Sequence, residues 1–151
     1  MTKYNLKTIF QATILLGPIA FILINLIPEK SLPSGSEIDR LVVWKSKREL
    51  VAYSNGKVIK TYRISLGRTP VGAKKFKGDY KTPEGLYYII DKNPNSVCHK
   101  NLGISYPNKR DKTNAQKVGK STGGDIKIHG LPNSFWMVGK LHRWFDWTAG
   151  C

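Results

Sequence analysis

A thiol with a distant imidazole is the minimum equipment for nucleophilic acyl chemistry, and two stretches of this chain could supply it. Cys151 lies in DWTAGC (Asp146–Cys151) and His129 in DIKIHG (Asp125–Gly130). A thiolate is intrinsically nucleophilic, and a nearby cation readily lowers its pKa. It also needs a general base, a group that orients the base, and donors for the oxyanion that develops on the substrate. Gly150, just before the thiol, lets the backbone come close to a substrate. His129 ends an alternating apolar–polar run and is followed by Gly130. His142, in KLHRWFDW, is the rival base because it is nearer to Cys151 in sequence; its other readings are a cleft-lining side chain or a partner of Asp146. Thr148 either donates a hydrogen bond near the thiol or fixes the turn before it.

The remaining candidates have plainer readings. Cys98 and His99 are adjacent, and no further Cys/His cluster accompanies them, so they make no zinc motif. No metal and no cofactor is expected. Cys98 is either an incidental thiol or, in an oxidising compartment, a disulfide partner for Cys151. Trp136, Trp144 and Trp147 read as core or lid packing before sugar-stacking platforms. Tyr80, Tyr87 and Tyr88 either floor a cleft or fill a strand's core face.

The elements that must position these residues are mainly strands. Asn55-Gly56 is a strong hairpin signal between β-branched and aromatic runs. It predicts a three-stranded antiparallel meander over Asp39–Lys45, Leu50–Ser54 and Lys57–Leu66. A loop rich in Gly, Lys and Pro follows from Gly67 to Gly85, then a strand over Leu86–Asp91. The Asn, Pro and Gly residues from Lys92 to Asp111 indicate loops around at most one short strand. One or two helical turns are expected over Lys112–Val118. A strand over Asp125–His129 delivers His129 at its end, and an aromatic, loop-rich run with a short helix follows Gly130.

The first 27 residues have a different composition. Thr8–Ile27 is twenty residues long, uncharged and almost wholly apolar, enough for a helix to cross a bilayer. Lys3 and Lys7 precede it, so the N-terminus is expected in the cytoplasm and the rest outside. A cleaved signal peptide is the alternative, its apolar region being usually ~7–15 residues. The expected organisation is a signal anchor or signal peptide over 1–27, a linker over 28–38 and a catalytic domain over 39–151. Lys3 and Lys7 are two of 25 basic residues, leaving 23 against 10 acidic ones, a net +13 on the exported part. Such an excess favours an acidic polymer, and export argues against nucleic acid as that partner. Localisation is expected at the periplasmic face of the inner membrane, or in the periplasm after cleavage.

Four segments in order, SLGRTPVGAKKFKGDYKTPEGLYYI, NLGISYPN, IHG and TAGC, resemble the L,D-transpeptidase catalytic domain family (the YkuD-type fold) over nearly all of Leu41–Cys151. The resemblance implies a mainly β sandwich or barrel with short helices, preceded here by the N-terminal transmembrane or signal helix. It implies that Cys151 is the nucleophile and His129 the general base, with the Gly130 carbonyl orienting the imidazole. The Gly150 and Cys151 N–H groups would face the oxyanion, and Thr148, Tyr80, Trp147 and His142 would meet the substrate. The implied substrate is a peptidoglycan tetrapeptide stem, cut between diaminopimelate and D-alanine. The acyl group would then pass to an amine, or to water if the enzyme is a hydrolase. The DWT-x-GC ending is similar to a subgroup that releases a peptidoglycan-linked lipoprotein. Ala149 stands where many relatives have His. The family pattern continues past the cysteine, so the domain is expected to be C-terminally incomplete, with an inactive envelope-binding remnant as the third reading.

Overall fold

The computed structural model describes Gly17, Ile19 and residues 21–151. The expected span Thr8–Ile27 therefore falls largely outside the described residues. Within its described part, Gly17, Ile19 and 21–26 are helical and are termed α1. Among the described residues no helix is long and apolar enough to cross a membrane.

Six strands form two antiparallel sheets. The first has the order β1-β2-β3, over Arg40–Trp44, Glu49–Ser54 and Lys57–Arg63. The β2–β3 turn has Asn55 at φ 50° and Gly56 at φ 76°, the double left-handed geometry of a two-residue hairpin. Between β1 and β2 a 3-10 turn, Lys45–Lys47, ends on Arg48 at φ 56°. As the middle strand, β2 is the most buried: Leu50, Val51 and Ala52 form the core with Leu66, Tyr106, Ala115 and Ile126.

The second sheet has the order β4-β5-β6, over Ile89–Ser96, His99–Ile104 and Lys127–His129. The expectation of at most one short strand between Lys92 and Asp111 is corrected, since β4 runs through Pro94 and β5 follows at once. The physical reason lies in the edge position of β4. Proline lacks the ladder donor but is tolerated on an edge strand or at a bulge, and the pairing of β4 with β5 shifts register between Asn93 and Ser96. Seven of the eight β4 residues are exposed, so its polar composition costs little. The third expected strand also ends early, at Arg63. The chain beyond it is recruited elsewhere: Thr148 N–H donates to Leu66 O at 3.2 Å, and Gly67 bridges Thr148 in parallel.

The helix over Lys109–Gln116, α2, starts earlier than expected because Asn108 caps it in a box with Asp111. Tyr87 donates to Asp111 Oδ2 at 2.9 Å, tying the segment before β4 to α2. Burial, the hydrogen bond to Asp111 and the Asp111 charge all raise the Tyr87 pKa.

Candidate active site

His129 is delivered by a ladder. It ends β6 opposite Asn101 of β5, and Gly130 N–H is shared between Cys98 O and Lys100 O, 3.1 Å to each. A Cβ on Gly130 would lie 3.0 Å from Cys98 O and 3.1 Å from His99 Cβ, so this close crossing favours glycine. His129 Nδ1 lies 2.7 Å from Gly130 O. A carbonyl only accepts, so Nδ1 carries the proton and Nε2 is left for the thiol.

Cys151 is delivered by the irregular segment Asp146–Gly150. Asp146 accepts a forked pair from Arg48, with Nη2 at 2.7 Å, and the Leu66 N–H at 3.0 Å. Burial pushes the Asp146 carboxyl up, but the Arg48 guanidinium and the Leu66 N–H outweigh it and hold the net below the usual carboxylate value. Two hydroxyls then grip the Cys151 carbonyl: Thr148 Oγ1 donates at 2.8 Å and Thr82 Oγ1 at 3.1 Å. Thr82 Oγ1 also accepts the Gly67 N–H at 2.9 Å. Gly67 has no room for a side chain, because a Cβ would lie 2.1 Å from Tyr80 O. Gly150, at φ 133°, would carry a Cβ 2.9 Å from Lys81 O.

The two deliveries converge. The Lys127 N–H points at Cys151 Sγ from 3.5 Å, and the thiol and the His129 imidazole are close enough to shift each other's titration. Burial pushes the thiol up, yet the His129 bond and the Lys127 N–H outweigh it and lower the thiol pKa. His129 is raised, first by its bond to Cys151, with burial opposing and the Gly130 carbonyl assisting. Both shifts favour a thiolate–imidazolium pair, the reactive form of a nucleophilic cysteine.

A family model of the L,D-transpeptidase catalytic domain matches residues 38–151. The chain belongs to this family. A search of curated proteins found no match. Members of the family are cysteine-dependent L,D-transpeptidases acting on peptidoglycan.

Within this L,D-transpeptidase domain the other expected site residues take varied positions. Trp147 stands edge-on to both imidazoles, its ring centroid 5.7 Å from His129 and 6.3 Å from His142. Among the described residues, its buried Nε1 has no hydrogen-bond partner. His142 does not pair with Asp146, which Arg48 already occupies; its Nδ1 bonds Gly139 O. Burial lowers the His142 pKa, as do Arg143 and His129. Thr148 is buried with its hydroxyl committed to the turn. The Gly150 N–H, expected at the oxyanion, donates to Thr148 Oγ1 at 3.2 Å. Tyr80 is at the surface, with Arg68 stacked 4.5 Å over its ring. Cys98 and Cys151 are both free thiols.

Sequence reasoning missed several supports. Lys74 and Asp79 form a buried ion pair at 2.8 Å, and Asp79 also accepts the N–H groups of Lys75, Phe76 and Lys81. That pair shapes the loop whose Tyr80 and Lys81 carbonyls abut Gly67 and Gly150. In a loop with many lysines, nothing in the sequence singles out Lys74. Lys127 was missed as well, since it contributes its backbone N–H, which no side-chain pattern marks. Lys74 also lines a cavity of about 310 Å³ with Glu84, Gly85, Arg110 and Asp111. Neither Cys151 nor His129 lines that cavity. Among the described residues no group of three or more His, Cys, Asp or Glu side chains converges as a metal site would require.

Proposed function

We propose that this chain is a peptidoglycan L,D-transpeptidase that cleaves the diaminopimelate–D-alanine bond of a tetrapeptide stem and passes the acyl group to an amine. The observation that carries the reading is the convergence of Cys151 and His129, the imidazole oriented through Nδ1 by Gly130 O and the thiol met by the Lys127 N–H at 3.5 Å. The Cys151 thiolate attacks the carbonyl carbon, and the tetrahedral oxyanion forms beside the Cys151 backbone N–H, since Thr148 Oγ1 holds the Gly150 N–H. The carbon–nitrogen bond then breaks, and His129 gives its proton to the departing D-alanine amine. An acyl thioester remains. An acceptor amine attacks it, His129 takes the amine proton, and the thiolate is restored. The Lys127 N–H at 3.5 Å helps hold the thiolate before attack. The +15 charge of the chain suits stems with free carboxylates.

The site is read as acting on the outer face of the cytoplasmic membrane, with Thr8–Ile27 as anchor or signal. The apolar run and the flanking Lys3 and Lys7 support this reading. The test is intact mass after incubation with a tetrapeptide muropeptide. The expected adduct equals the stem minus D-alanine and is absent from Cys151→Ser. No adduct on the wild-type chain would sink the proposal. Product analysis with and without an amine acceptor then separates transfer from hydrolysis.

A further inference from the structure

The end of α1 is fastened to the aromatic segment that follows β6. Asn25 Oδ1 accepts the Lys140 N–H at 2.9 Å, while Asn25 Nδ2 donates to Phe21 O of its own helix at 2.9 Å. Lys140 Nζ reaches Ile27 O, and Arg143 pairs with Glu29. Gly139 is pressed so closely on Asn25 that a Cβ there would overlap its amide. The one polar side chain near the end of an apolar run thus serves to lock that run to Gly139–Lys140.

What this lock holds in place is an exposed apolar surface. Asn133–Trp144 winds as 3-10 turns broken at Phe135 and Gly139, and none of its residues is buried. Trp136 is 74% exposed and Met137 72%, with Phe135, Trp144 and Phe145 also open to solvent. On the helix side Leu26 is 71% exposed, and Ile22, Leu23 and Ile27 are exposed as well. Lys140 and Arg143 lie in the same segment, and Arg63 stacks 3.8 Å over the Trp144 ring. Aromatic rings with flanking bases are the composition that settles at a membrane–water boundary.

We propose that Phe135–Met137 and the Trp144–Phe145 edge dip into the head-group region of an anionic phospholipid bilayer, docking the catalytic domain flat against the membrane that α1 enters. The inference rests on the membrane reading of Thr8–Ile27. A helix that leaves the bilayer near Ile27 puts Asn25, and with it Gly139–Lys140, at head-group level. The aromatic residues two to four positions before Gly139 then meet lipid. The same segment carries His142, which shares Trp147 with His129. The docking therefore sets the depth at which the nucleophile works.

The experiment uses the full chain in phosphatidylglycerol–phosphatidylethanolamine vesicles whose acyl chains carry bromine, a tryptophan quencher, either near the head group or near the chain end. Shallow bromine is expected to quench more than deep bromine, and Trp136→Phe to remove about half of the shallow quench, as an interfacial ring would. Trp136 is so exposed that its replacement leaves the core untouched. If a chain that survives an alkaline carbonate wash shows the same quench with and without Trp136, the surface does not meet lipid and the inference falls. A chain that washes off the vesicles overturns the membrane reading and this inference with it. The muropeptide adduct of Cys151 is read separately, so its failure is distinguishable from either result.

Discussion

The two halves of the site are held by different means. His129 comes on a strand whose neighbours are close in space and whose bonds are mostly backbone to backbone, β6 to β5 and Gly130 to the β4–β5 turn. Cys151 comes on a segment joined to the rest by a single isolated backbone bridge, Thr148 to Leu66, Gly67 and Arg68. Side chains supply the rest: Arg48 to Asp146 and Thr82 to the Cys151 carbonyl over long sequence separations, and Thr148 locally within the turn. A backbone ladder survives most substitutions because the bonding groups are common to all residues but proline. A side-chain clasp fails when one residue changes. His129 should therefore tolerate mutation of its surroundings, and Cys151 should not.

The largest effect tests the pair itself. Cys151→Ser is expected to abolish acylation. His129→Gln should lower the rate roughly 100-fold or more, the scale of lost general-base catalysis. It should also move the pH midpoint of iodoacetamide alkylation of Cys151 upward. In the wild type each group favours the charged form of the other, the thiol lowered and His129 raised, so removing the imidazole should return the thiol toward its ordinary value. An unchanged midpoint in His129→Gln would show that the imidazole does not stabilise the thiolate.

Next comes the crossing of Gly67 with Tyr80. Gly67→Ala needs a backbone shift, and unfolding in urea should show a loss of about 3 kcal/mol. The clasp follows. Asp146→Asn should cost about 2 kcal/mol, as loss of a charged hydrogen-bonded pair does, and slow alkylation of Cys151 while leaving the His129 ring signals in place. The pH sense follows from the depressed Asp146 pKa. Its contribution is complete above the ordinary carboxylate value of about 4 and is lost as pH falls through the depressed one. The variant should therefore lose the steepest acid limb of a stability–pH curve.

The smallest effect is expected on the imidazole side. Asn133 ties the segment after Gly130 to the β4–β5 turn, donating to Ser96 O at 3.2 Å and accepting the His99 N–H at 3.0 Å. Asn133→Ala should cost about 1 kcal/mol and keep the proton on Nδ1 in nitrogen NMR. If it harmed alkylation as much as Asp146→Asn, the contrast between the two halves would be wrong.

Much of the scaffold was legible. The Asn55-Gly56 hairpin, the strand ending in His129 and the terminal T-A-G-C motif all follow local rules that adjacent residues obey. β4 was misread because its proline and asparagines carry a loop signal, and only pairing along one edge makes them a strand. His142 and Asp146, four apart, invited a pairing, but Arg48, 98 residues from Asp146, holds the carboxylate instead.

By itself the sequence determined the residue types for thiol chemistry, the apolar run before the domain and the Asn55-Gly56 turn of the first hairpin. Those depend on spacing within a few residues, where chain geometry is predictable. Tertiary structure alone decided that the Thr82 hydroxyl reaches the Cys151 carbonyl, that Arg48 holds Asp146, and that Thr148 meets Leu66 and Gly67. Each depends on which distant segments pack together, and a hydrogen bond reaches only about 3 Å. Only the folded chain brings those groups within that distance.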